Sequence, residues 1–350
     1  MTAAAPAWVV GVDLGGTNLR VAAFGELGAL SARARHERTT LVPEPAAVAR
    51  RRVGDDRRPE AIVEAIATMV EEVLAKAGVS PVVRVPVGIG IAAMLRDREG
   101  LVANSPHLRW RDVPFGDLLA ARLGPARPLG IYNDVNAIAY GEFGLGAAAG
   151  ADDVLTVYIG TGIGGGLIVN GQLADGITNA AGEIGHTKVL WGDDAAPCAC
   201  GGRGCVEAYV GGTYVQSRAR AELARGDVRS LAVDLAGGDP HEVTPGHVDQ
   251  AAAAGDPWAL ELWTELAPLL AVAIGNAITL LNPERVVLGG GMLGRTPLLK
   301  DQTLTALPMV VPAALLDPVT IVDAVLGDDA GLIGAALLAS DGAAMKGTGS

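Results

Sequence analysis

Cysteine, aromatic side chains and basic segments are all scarce in this chain of 350 residues. It has three cysteines and 4% Phe, Trp and Tyr, and its 27 Lys and Arg are outnumbered by 39 Asp and Glu. The net charge of −12 argues against general nucleic-acid binding. The apolar start has no basic segment before it and is interrupted by Asp13, so no secretory signal is indicated. We therefore expect a cytoplasmic protein.

One uncharged run, residues 266–283, resembles a membrane span. It contains Pro268, Asn276, Thr279 and Asn282, and a β-like run follows at once, so a buried core helix is the better interpretation. We predict no membrane segment. With half of its residues hydrophobic, the chain can bury the cores of two domains.

The three cysteines that are present lie within eight residues, close to a histidine. Cys198, Cys200 and Cys205 follow His186, and one imidazole with three thiolates at this spacing is typical of a closed tetrahedral zinc site. Such a metal folds a loop and thereby places the carboxylates on it, here Glu183 and Glu207. The alternative is three ordinary thiols in a glycine-rich loop.

The sequence contains two short glycine-rich turns, about 145 residues apart. Each of them joins a pair of apolar segments. We predict a hairpin of strands 8–14 and 19–24, and a second hairpin of strands 153–159 and 164–169. Glycines allow backbone N–H groups to approach phosphate oxygens, and Asp13 acts there through Mg²⁺ or water. A duplicated α/β domain with one phosphate turn in each half explains the spacing. The turn residues are Asp13, Gly15, Gly16, Thr17 and Asn18 in the first hairpin, and Gly160, Thr161 and Gly162 in the second.

Two further strand ends carry candidate functional groups. Gly289, Gly290 and Gly291 follow the predicted strand 285–289, where a flat ring can lie on bare backbone or a helix can pack closely. Asn133 and Asp134 follow the predicted strand 129–132, the position of active-site acids in open α/β sheets. Asp134 is thus either a base for a hydroxyl proton or a helix N-cap.

The remaining pattern predicts helices and one exposed loop. Helices are expected over residues 60–77, 115–123, 135–143, 205–223, 257–281 and 329–340, and a strand over 82–91. Arg50, Arg51 and Arg52, with Arg57 and Arg58, are predicted to lie in an exposed loop, as a solvated surface or as a rim that attracts anionic substrate.

These stretches together resemble the ROK group (repressor, open reading frame, kinase) of sugar kinases in the actin-like ATPase superfamily. The matching stretches cover nearly the full chain: residues 13–18, 133–136, 160–164, 182–186, 198–207 and 289–291. The resemblance implies a duplicated ribonuclease-H-like α/β fold of two domains with ATP in the cleft between them. The first domain would be residues 1–132, completed by helix 329–342. The second would be residues 133–328, with the zinc loop at 186–205.

The resemblance also implies the roles of the site residues. Zinc would be held by His186, Cys198, Cys200 and Cys205, ATP with Mg²⁺ by the turn residues, and Asp134 would be the base. A sugar would be held by Asn133, Asp134, Glu183, His186 and Glu207. Since carboxylates accept several hydrogen bonds, this set suits a ligand rich in hydroxyls. A homo-oligomer, dimer or tetramer, is expected.

Two positions depart from the pattern of family members that phosphorylate glucose. His107 stands where an asparagine usually holds the sugar, with Asn104 nearby, and Ala93 replaces a glycine at the end of a strand. Both changes are expected on the sugar side, so either the substrate is altered or His107 is only a loop residue. The runner-up substrate is a carbasugar C7-cyclitol. A repressor is disfavoured because the first phosphate strand begins at Trp8, and a non-catalytic regulator is disfavoured because Asp134 and both turns are present.

Overall fold

The structure is a computed structural model that describes residues 7–124 and 127–346. Its strands are β1 (Trp8–Leu14), β2 (Asn18–Gly25), β3 (Ala47–Arg52), β4 (Val87–Ile91), β5 (Met94–Leu95), β6 (Leu101–Ser105), β7 (Trp110–Pro114), β8 (Leu129–Asn133), β9 (Val154–Ile159), β10 (Ile163–Val169), β11 (Gln172–Leu173), β12 (Arg285–Gly289) and β13 (Thr320–Asp323). Its helices are α1 (Leu27–Glu37), α2 (Pro59–Lys76), α3 (Phe115–Leu123), α4 (Asp134–Gly144), α5 (Glu207–Val210), α6 (Gly212–Leu223), α7 (Leu231–Leu235), α8 (Pro245–Ala253), α9 (Pro257–Leu281), α10 (Pro297–Val310), α11 (Ala313–Leu316) and α12 (Ala330–Lys346).

Two five-stranded sheets repeat one arrangement. The first has the order β3-β2-β1-β4-β8 and the second the order β11-β10-β9-β12-β13. In the first, β1 and β2 form an antiparallel hairpin, β3 pairs with β2 at the edge, and β4 and β8 run parallel to β1. In the second, β11 pairs antiparallel with β10, and β12 and β13 are parallel. The predicted hairpins and the predicted duplication are therefore present.

The chain divides into two compact units. The first unit contains the described parts of Met1–Val154, Gly166–Gly182 and Ala324–Ser350, and the second contains Leu155–Gly165 and Glu183–Asp323. In this division, α4 belongs to the first unit. There α4 packs on α12 at backbone distance: a Cβ added at Gly334 would lie 1.7 Å from the Ala137 carbonyl oxygen. The predicted domain limits remain a prediction.

The first unit encloses its core between the sheet and helices on both faces. Buried side chains of β1, β4, α2 and α3 form one layer, among them Val12, Ile66, Ile89 and Phe115. On the other face, α12 contributes Leu332, Ile333 and Leu337 to a second cluster. With helices on both faces, the strands read as continuous apolar runs.

Helix α9 is the uncharged run that resembles a membrane span. By length and composition it is apolar enough to cross a membrane, and 44% of its most apolar window is buried. Eleven of its residues are buried, including Trp263 and Leu270, and it packs on α8 and α10. Helix α9 is thus a core helix with one face buried, as predicted.

Three predicted segments differ from the structure. The helix expected over 205–223 is divided at Gly211 into α5 and α6. Residues 82–86 precede the strand that was expected over 82–91, and β4 begins at Val87. Arg50, Arg51 and Arg52 do not lie in a loop: they end edge strand β3, where the register pairs Arg50 with Arg20 and Arg52 with Asn18. Segment 47–52 is a strand because its backbone pairs with β2. Its arginine-rich composition does not reveal this pairing, so the sequence predicted a loop.

Candidate active site

In the first unit, the first turn lies at the carboxyl end of β1. The Gly15 N–H donates to the Asn18 carbonyl at 3.0 Å, which closes the turn and leaves Thr17 and Asn18 exposed. Asp13 is held by Arg20, whose Nη2 and Nε donate to its Oδ2 at 2.6 and 3.0 Å. Arg20 was not predicted, because nothing in its spacing from Asp13 distinguishes it from an ordinary strand arginine.

Asn133 and Asp134 lie at the same edge of that sheet. The register aligns Asp13 with Gly90 and Gly90 with Tyr132, so the parallel strands β1, β4 and β8 end together. The N-cap of α4 is Asn133, whose Oδ1 accepts from Val135 N at 2.9 Å and from Asn136 N at 3.3 Å. The N-cap interpretation therefore belongs to Asn133, not to Asp134.

The side chain of Asn133 is also used on its other side. Its Nδ2 donates to the Ala93 carbonyl at 3.1 Å, so both ends of the amide already have protein partners. Asn104 lies on β6, opposite Met94 and Arg111. A ligand hydroxyl that binds the Asn133 side chain therefore shares its Oδ1 or Nδ2 with these hydrogen bonds of Asn133.

His107 lies against the first turn. A Cβ added at Gly16 would be 2.6 Å from the His107 Cβ and 3.3 Å from its Nδ1. The His107 carbonyl accepts from Arg57, and the Trp110 Nε1 donates to the Arg57 carbonyl at 2.6 Å. The exposed imidazole therefore lies beside the turn predicted to hold phosphate, although the sequence led us to expect it on the sugar side.

In the second unit, the four predicted zinc ligands come together. One ligand atom from each of His186, Cys198, Cys200 and Cys205 lies within 4.8 Å of the others. The Sγ atoms of Cys200 and Cys205 are 3.6 Å apart, and Cys198 Sγ is 3.7 Å from His186 Nδ1. Metal–ligand bonds of roughly 2.0–2.3 Å in a tetrahedron give ligand separations of this size.

Groups around the cluster stabilise its loop. Lys188 Nζ donates to Cys205 Sγ at 2.7 Å, which raises the pKa of Lys188. The hydroxyls of Tyr209 and Tyr214 accept from Ala196 N and Ala199 N at 2.7 and 2.8 Å. The sequence did not predict a role for any of these three side chains, because their role depends on contacts across the loop.

His186 links the cluster to the predicted sugar carboxylates. Its Nδ1 faces Cys198, and its Nε2 lies 4.0 Å from Glu183 Oε2. Burial raises the pKa of Glu183, His186 opposes this, and Glu207 adds to it. The imidazole thus presents one nitrogen to the candidate metal site and the other to a carboxylate.

Glu207 holds the second turn. Its Oε2 accepts from Ile163 N at 2.8 Å, and its Oε1 is 3.9 Å from Cys198 Sγ. A Cβ added at Gly162 would lie 2.3 Å from Glu207 Oε2, whereas one at Gly160 would meet nothing within 4 Å. Glu207 therefore joins the turn to the cysteine cluster.

The glycines after β12 have different roles. Gly290 has φ 102°, and a Cβ there would lie 2.4 Å from the Ile159 carbonyl oxygen, so it is needed for close packing on β9. A Cβ at Gly291 would meet nothing within 4 Å. Close packing therefore explains the glycine at position 290, whereas the backbone at Gly291 is open and accessible.

Known proteins resemble this chain along nearly its whole length. The glucokinase of Streptomyces coelicolor is 32% identical over 337 residues, which cover 95% of this chain and 97% of that one. The structure of a ROK family glucokinase from Streptomyces griseus in complex with glucose and AMPPNP has a TM-score of 0.72 at 30% identity, and covers 95% of this chain and 99% of that one. A xylose repressor of Caldicellulosiruptor bescii is 28% identical over 240 residues, 68% of this chain and 57% of that protein.

The duplicated sheets, the two glycine turns and these full-length similarities define an ATP-dependent sugar kinase, with an alcohol group as phosphoryl acceptor. Its mixed α/β, actin-like ATPase fold is the one predicted. A sequence model described as the ROK family matches residues 9–342. The chain belongs to the ROK family.

Proposed function

We propose that this kinase transfers the terminal phosphoryl group of ATP to a hydroxyl of a hexose or a hexose-like polyol, as a glucokinase does. The observation that carries the proposal is His186, which lies between the cysteine cluster and Glu183. A fixed imidazole beside acceptor carboxylates suits a ligand that offers several hydroxyls. The glucokinase relatives support a hexose.

Asp134 is the general base in this proposal. It begins α4 beyond the parallel strands β4 and β8, and Asn133 already caps the helix. A carboxylate at this edge accepts the proton of the sugar hydroxyl while that oxygen attacks the terminal phosphorus. Positioning of the hydroxyl and the phosphate supplies most of the remaining acceleration.

The two turns hold the phosphates in this proposal. Backbone N–H groups of Gly16, Thr17 and Asn18, and those of Thr161 and Gly162, donate to phosphate oxygens, while the Gly160 N–H closes the second turn on the Gly162 carbonyl. Mg²⁺ supplies neutralisation of the donor phosphates when it is bound with ATP. In this proposal Asp13, which accepts from Arg20, is the carboxylate that acts on Mg²⁺ directly or through water.

The zinc assignment is structural in this proposal. Zn²⁺, when bound, supplies folding free energy to the loop and fixes the imidazole tautomer. His186 then keeps Nε2 toward the sugar, and Cys198, Cys200 and Cys205 close the tetrahedron. We further propose a cytoplasmic homo-oligomer, a dimer or tetramer, which light scattering after gel filtration measures.

A coupled ADP-release screen tests the proposed substrate class. The panel is glucose, mannose, N-acetylmannosamine, fructose, allose and C7-cyclitols, and Asp134→Asn protein is the control for contaminating kinases. We expect one hexose to exceed the others in kcat/KM. ADP release that no sugar or cyclitol stimulates above the control would contradict the proposal and favour a non-catalytic regulator.

A carbasugar C7-cyclitol is the second candidate substrate, favoured by His107 and Ala93. In the structure His107 lies against Gly16, and the Ala93 carbonyl accepts from Asn133. His107→Asn with Ala93→Gly should raise kcat/KM for glucose relative to the natural substrate, because Asn offers a donor and an acceptor in a smaller group. If the unmodified protein already prefers glucose, this explanation of His107 and Ala93 fails.

A further inference from the structure

Glu142 is a fully buried carboxylate of the first unit, near the end of α4. Its Oε2 accepts from Ala147 N at 2.8 Å, and its Oε1 accepts from Val325 N at 3.0 Å and from Leu326 N at 2.9 Å. Hydrogen bonds to an ionised acceptor are strong, and three of them offset much of the cost of burying the charge. They also tie α4 to a segment that lies 183 residues later in the chain.

That segment is where the chain returns from the second unit to the first. It comprises residues 324–329, which we call the return segment, and it leads directly into α12. It ends in a single 3₁₀ turn, Gly327–Asp329. The Leu326 side chain is buried in the core beside α12, whereas about half of the Val325 side chain is exposed. Side-chain packing therefore holds the segment at one of these two positions, and Glu142 holds its backbone at both.

The 3₁₀ turn of the return segment in turn holds Arg20. The Arg20 Nη1 donates to Asp329 Oδ1 at 3.1 Å, and its Nη2 donates to the Asp328 carbonyl oxygen. The same guanidinium group donates to Asp13 Oδ2 through Nη2 and Nε, at 2.6 and 3.0 Å. Only 18% of the Arg20 side chain and 23% of the Asp13 side chain are exposed. The planar guanidinium group is thus a partly buried bridge between the return segment and Asp13.

This bridge restricts Arg20 from two sides. Arg20 lies directly opposite Asp13 in the register of β1 and β2, so it reaches Asp13 across the hairpin. A long side chain with a single partner keeps much of its rotamer freedom, and a second set of acceptors removes it. The return segment supplies those acceptors, and Glu142 supplies the bonds that keep the segment in place. A continuous series of contacts therefore runs from the end of α4 to the carboxylate beside the first turn.

We propose that Glu142 is a positioning residue for Asp13 and that it acts through the return segment and Arg20. This inference rests on the proposed function, in which Asp13 acts on Mg²⁺ directly or through water. Loss of Glu142 should therefore impair the use of Mg²⁺ with ATP and leave sugar binding intact. A merely structural carboxylate would lower the stability of the protein without this selective effect.

The main variant is Glu142→Met, which keeps the length of the side chain and removes all three hydrogen bonds. Its matched control is Asp249→Leu in the second unit, because Asp249 is also buried and accepts from the backbone N–H groups of Leu298 and Leu299. Both variants leave buried N–H groups without acceptors, so both should have a lower melting temperature.

Only Glu142→Met should change the Mg²⁺ dependence of sugar phosphorylation at fixed ATP. The Mg²⁺ concentration for half-maximal activity should rise about tenfold, as expected from the loss of a charge-assisted hydrogen bond. The KM for the sugar should stay within about twofold, because uniform binding of the sugar is untouched.

A second pair of variants tests the same contacts without a buried substitution. Asp329→Ala removes the Oδ1 that accepts from Arg20, whereas Asp328→Ala removes an equal charge and leaves the carbonyl oxygen that Arg20 uses. Because about half of the Asp329 side chain is exposed, Asp329→Ala should raise the half-maximal Mg²⁺ concentration by only about threefold, and Asp328→Ala by less. If Glu142→Met does not fold, this pair decides the inference.

Two further measurements do not need turnover. Hydrogen exchange at the Val325 and Leu326 amides should be faster in Glu142→Met than in the parent, because their acceptor is gone. Calorimetric titration with a non-hydrolysable ATP analogue, with and without Mg²⁺, should show that the parent gains affinity from Mg²⁺. Glu142→Met should lose most of that gain, and Asp249→Leu should keep it.

Three results would overturn the inference. The first is a Glu142→Met protein whose Val325 and Leu326 amides stay protected, and the second is faster exchange with an unchanged Mg²⁺ dependence. The third is an equal rise in the half-maximal Mg²⁺ concentration in Asp249→Leu, because general loosening would then explain the effect. Parent protein that is inactive with ATP on every acceptor contradicts the proposed function instead, and the calorimetric comparison then decides the role of Glu142.

Discussion

The two glycine turns share a backbone design and differ in what surrounds them. In the first unit Gly15 N donates to Asn18 O, and in the second Gly160 N donates to Gly162 O, each at 3.0 Å. The first turn borders arginines and His107. The second is held by Glu207, and its Gly160 and Thr161 carbonyls accept from the start of α6, at Gly212 N and Thr213 N.

The same backbone turn can therefore have different roles, which depend on the side chains around it. Backbone N–H groups in an open, basic setting are free to take phosphate. At the end of the second turn, the Ile163 N–H is bonded to Glu207, which also links this turn to the cysteine cluster. The duplicated halves have therefore diverged in side chains, while their strands keep the same order.

The largest effect is expected from Asp134, the proposed general base. Asp134→Asn should lower kcat by roughly 10²–10⁴-fold with little change in binding, as loss of a general base does. Glu207→Gln should keep most of its kcat and show its effect in KM and thermal stability, because Glu207 supports a turn. Steady-state kinetics of both proteins measure the contrast. Turnover of Asp134→Asn within a few-fold of the parent rules out the base.

A ligand of the cysteine cluster should have the next largest effect. Cys200→Ser should lose bound zinc, lower the melting temperature and raise KM for the sugar, because metal binding contributes to folding. Elemental analysis and calorimetry of protein purified without chelators are the measurements. Parent protein that contains no zinc under those conditions refutes the metal site itself.

Two alanine variants test how tightly Glu207 packs against the second turn. Gly162→Ala places a methyl group against Glu207 and should cost about 1–3 kcal/mol of stability, as overpacking does. Gly160→Ala meets nothing within 4 Å and should leave the melting temperature unchanged. Urea unfolding monitored by circular dichroism compares them. Equal stability of the two variants would mean that Glu207 moves aside easily.

The smallest effect is expected at Lys188. Its bond to Cys205 Sγ places a positive charge beside the thiolates, so Lys188→Met should weaken zinc retention about tenfold, the lower range for partners behind metal ligands. Lys300→Met, which breaks an ion pair with Asp323 in the same unit, is the control. Competition with a coloured zinc chelator gives the affinities. Unchanged retention would make Lys188 a surface residue.

Much of the fold follows from local signals. The hairpins around residues 15–18 and 160–162 and the helices at Phe115–Leu123 and Pro257–Leu281 follow from apolar periodicity and glycine stops, which act over a few residues. The four residues of the His/Cys cluster follow from spacing, because the three cysteines lie within eight positions close to His186. The sequence analysis did not assign α1, α8, α10 or the small sheet of β5, β6 and β7.

The neighbours of the site could not be predicted in the same way. Arg50–Arg52 form a strand only because β2 offers hydrogen bonds, and His107 reaches Gly16 across many residues of chain. The contact of Glu207 with Ile163 is likewise tertiary. Such contacts depend on the register of distant segments, and neither propensity nor periodicity records it.

The last helix has a consequence for how the protein is made. Helix α12 lies directly on α4, with the Gly334 backbone against the Ala137 carbonyl, and supplies Leu332 and Ile333 to the core of the first unit. One face of the sheet that carries the first turn therefore stays uncovered on the ribosome until α12 has been synthesised. All of the second unit, residues 155–165 and 183–323, precedes α12 in the chain and can fold earlier. A chain released before α12 would leave an apolar face open to proteases, so premature termination should yield degraded protein and no partly active kinase.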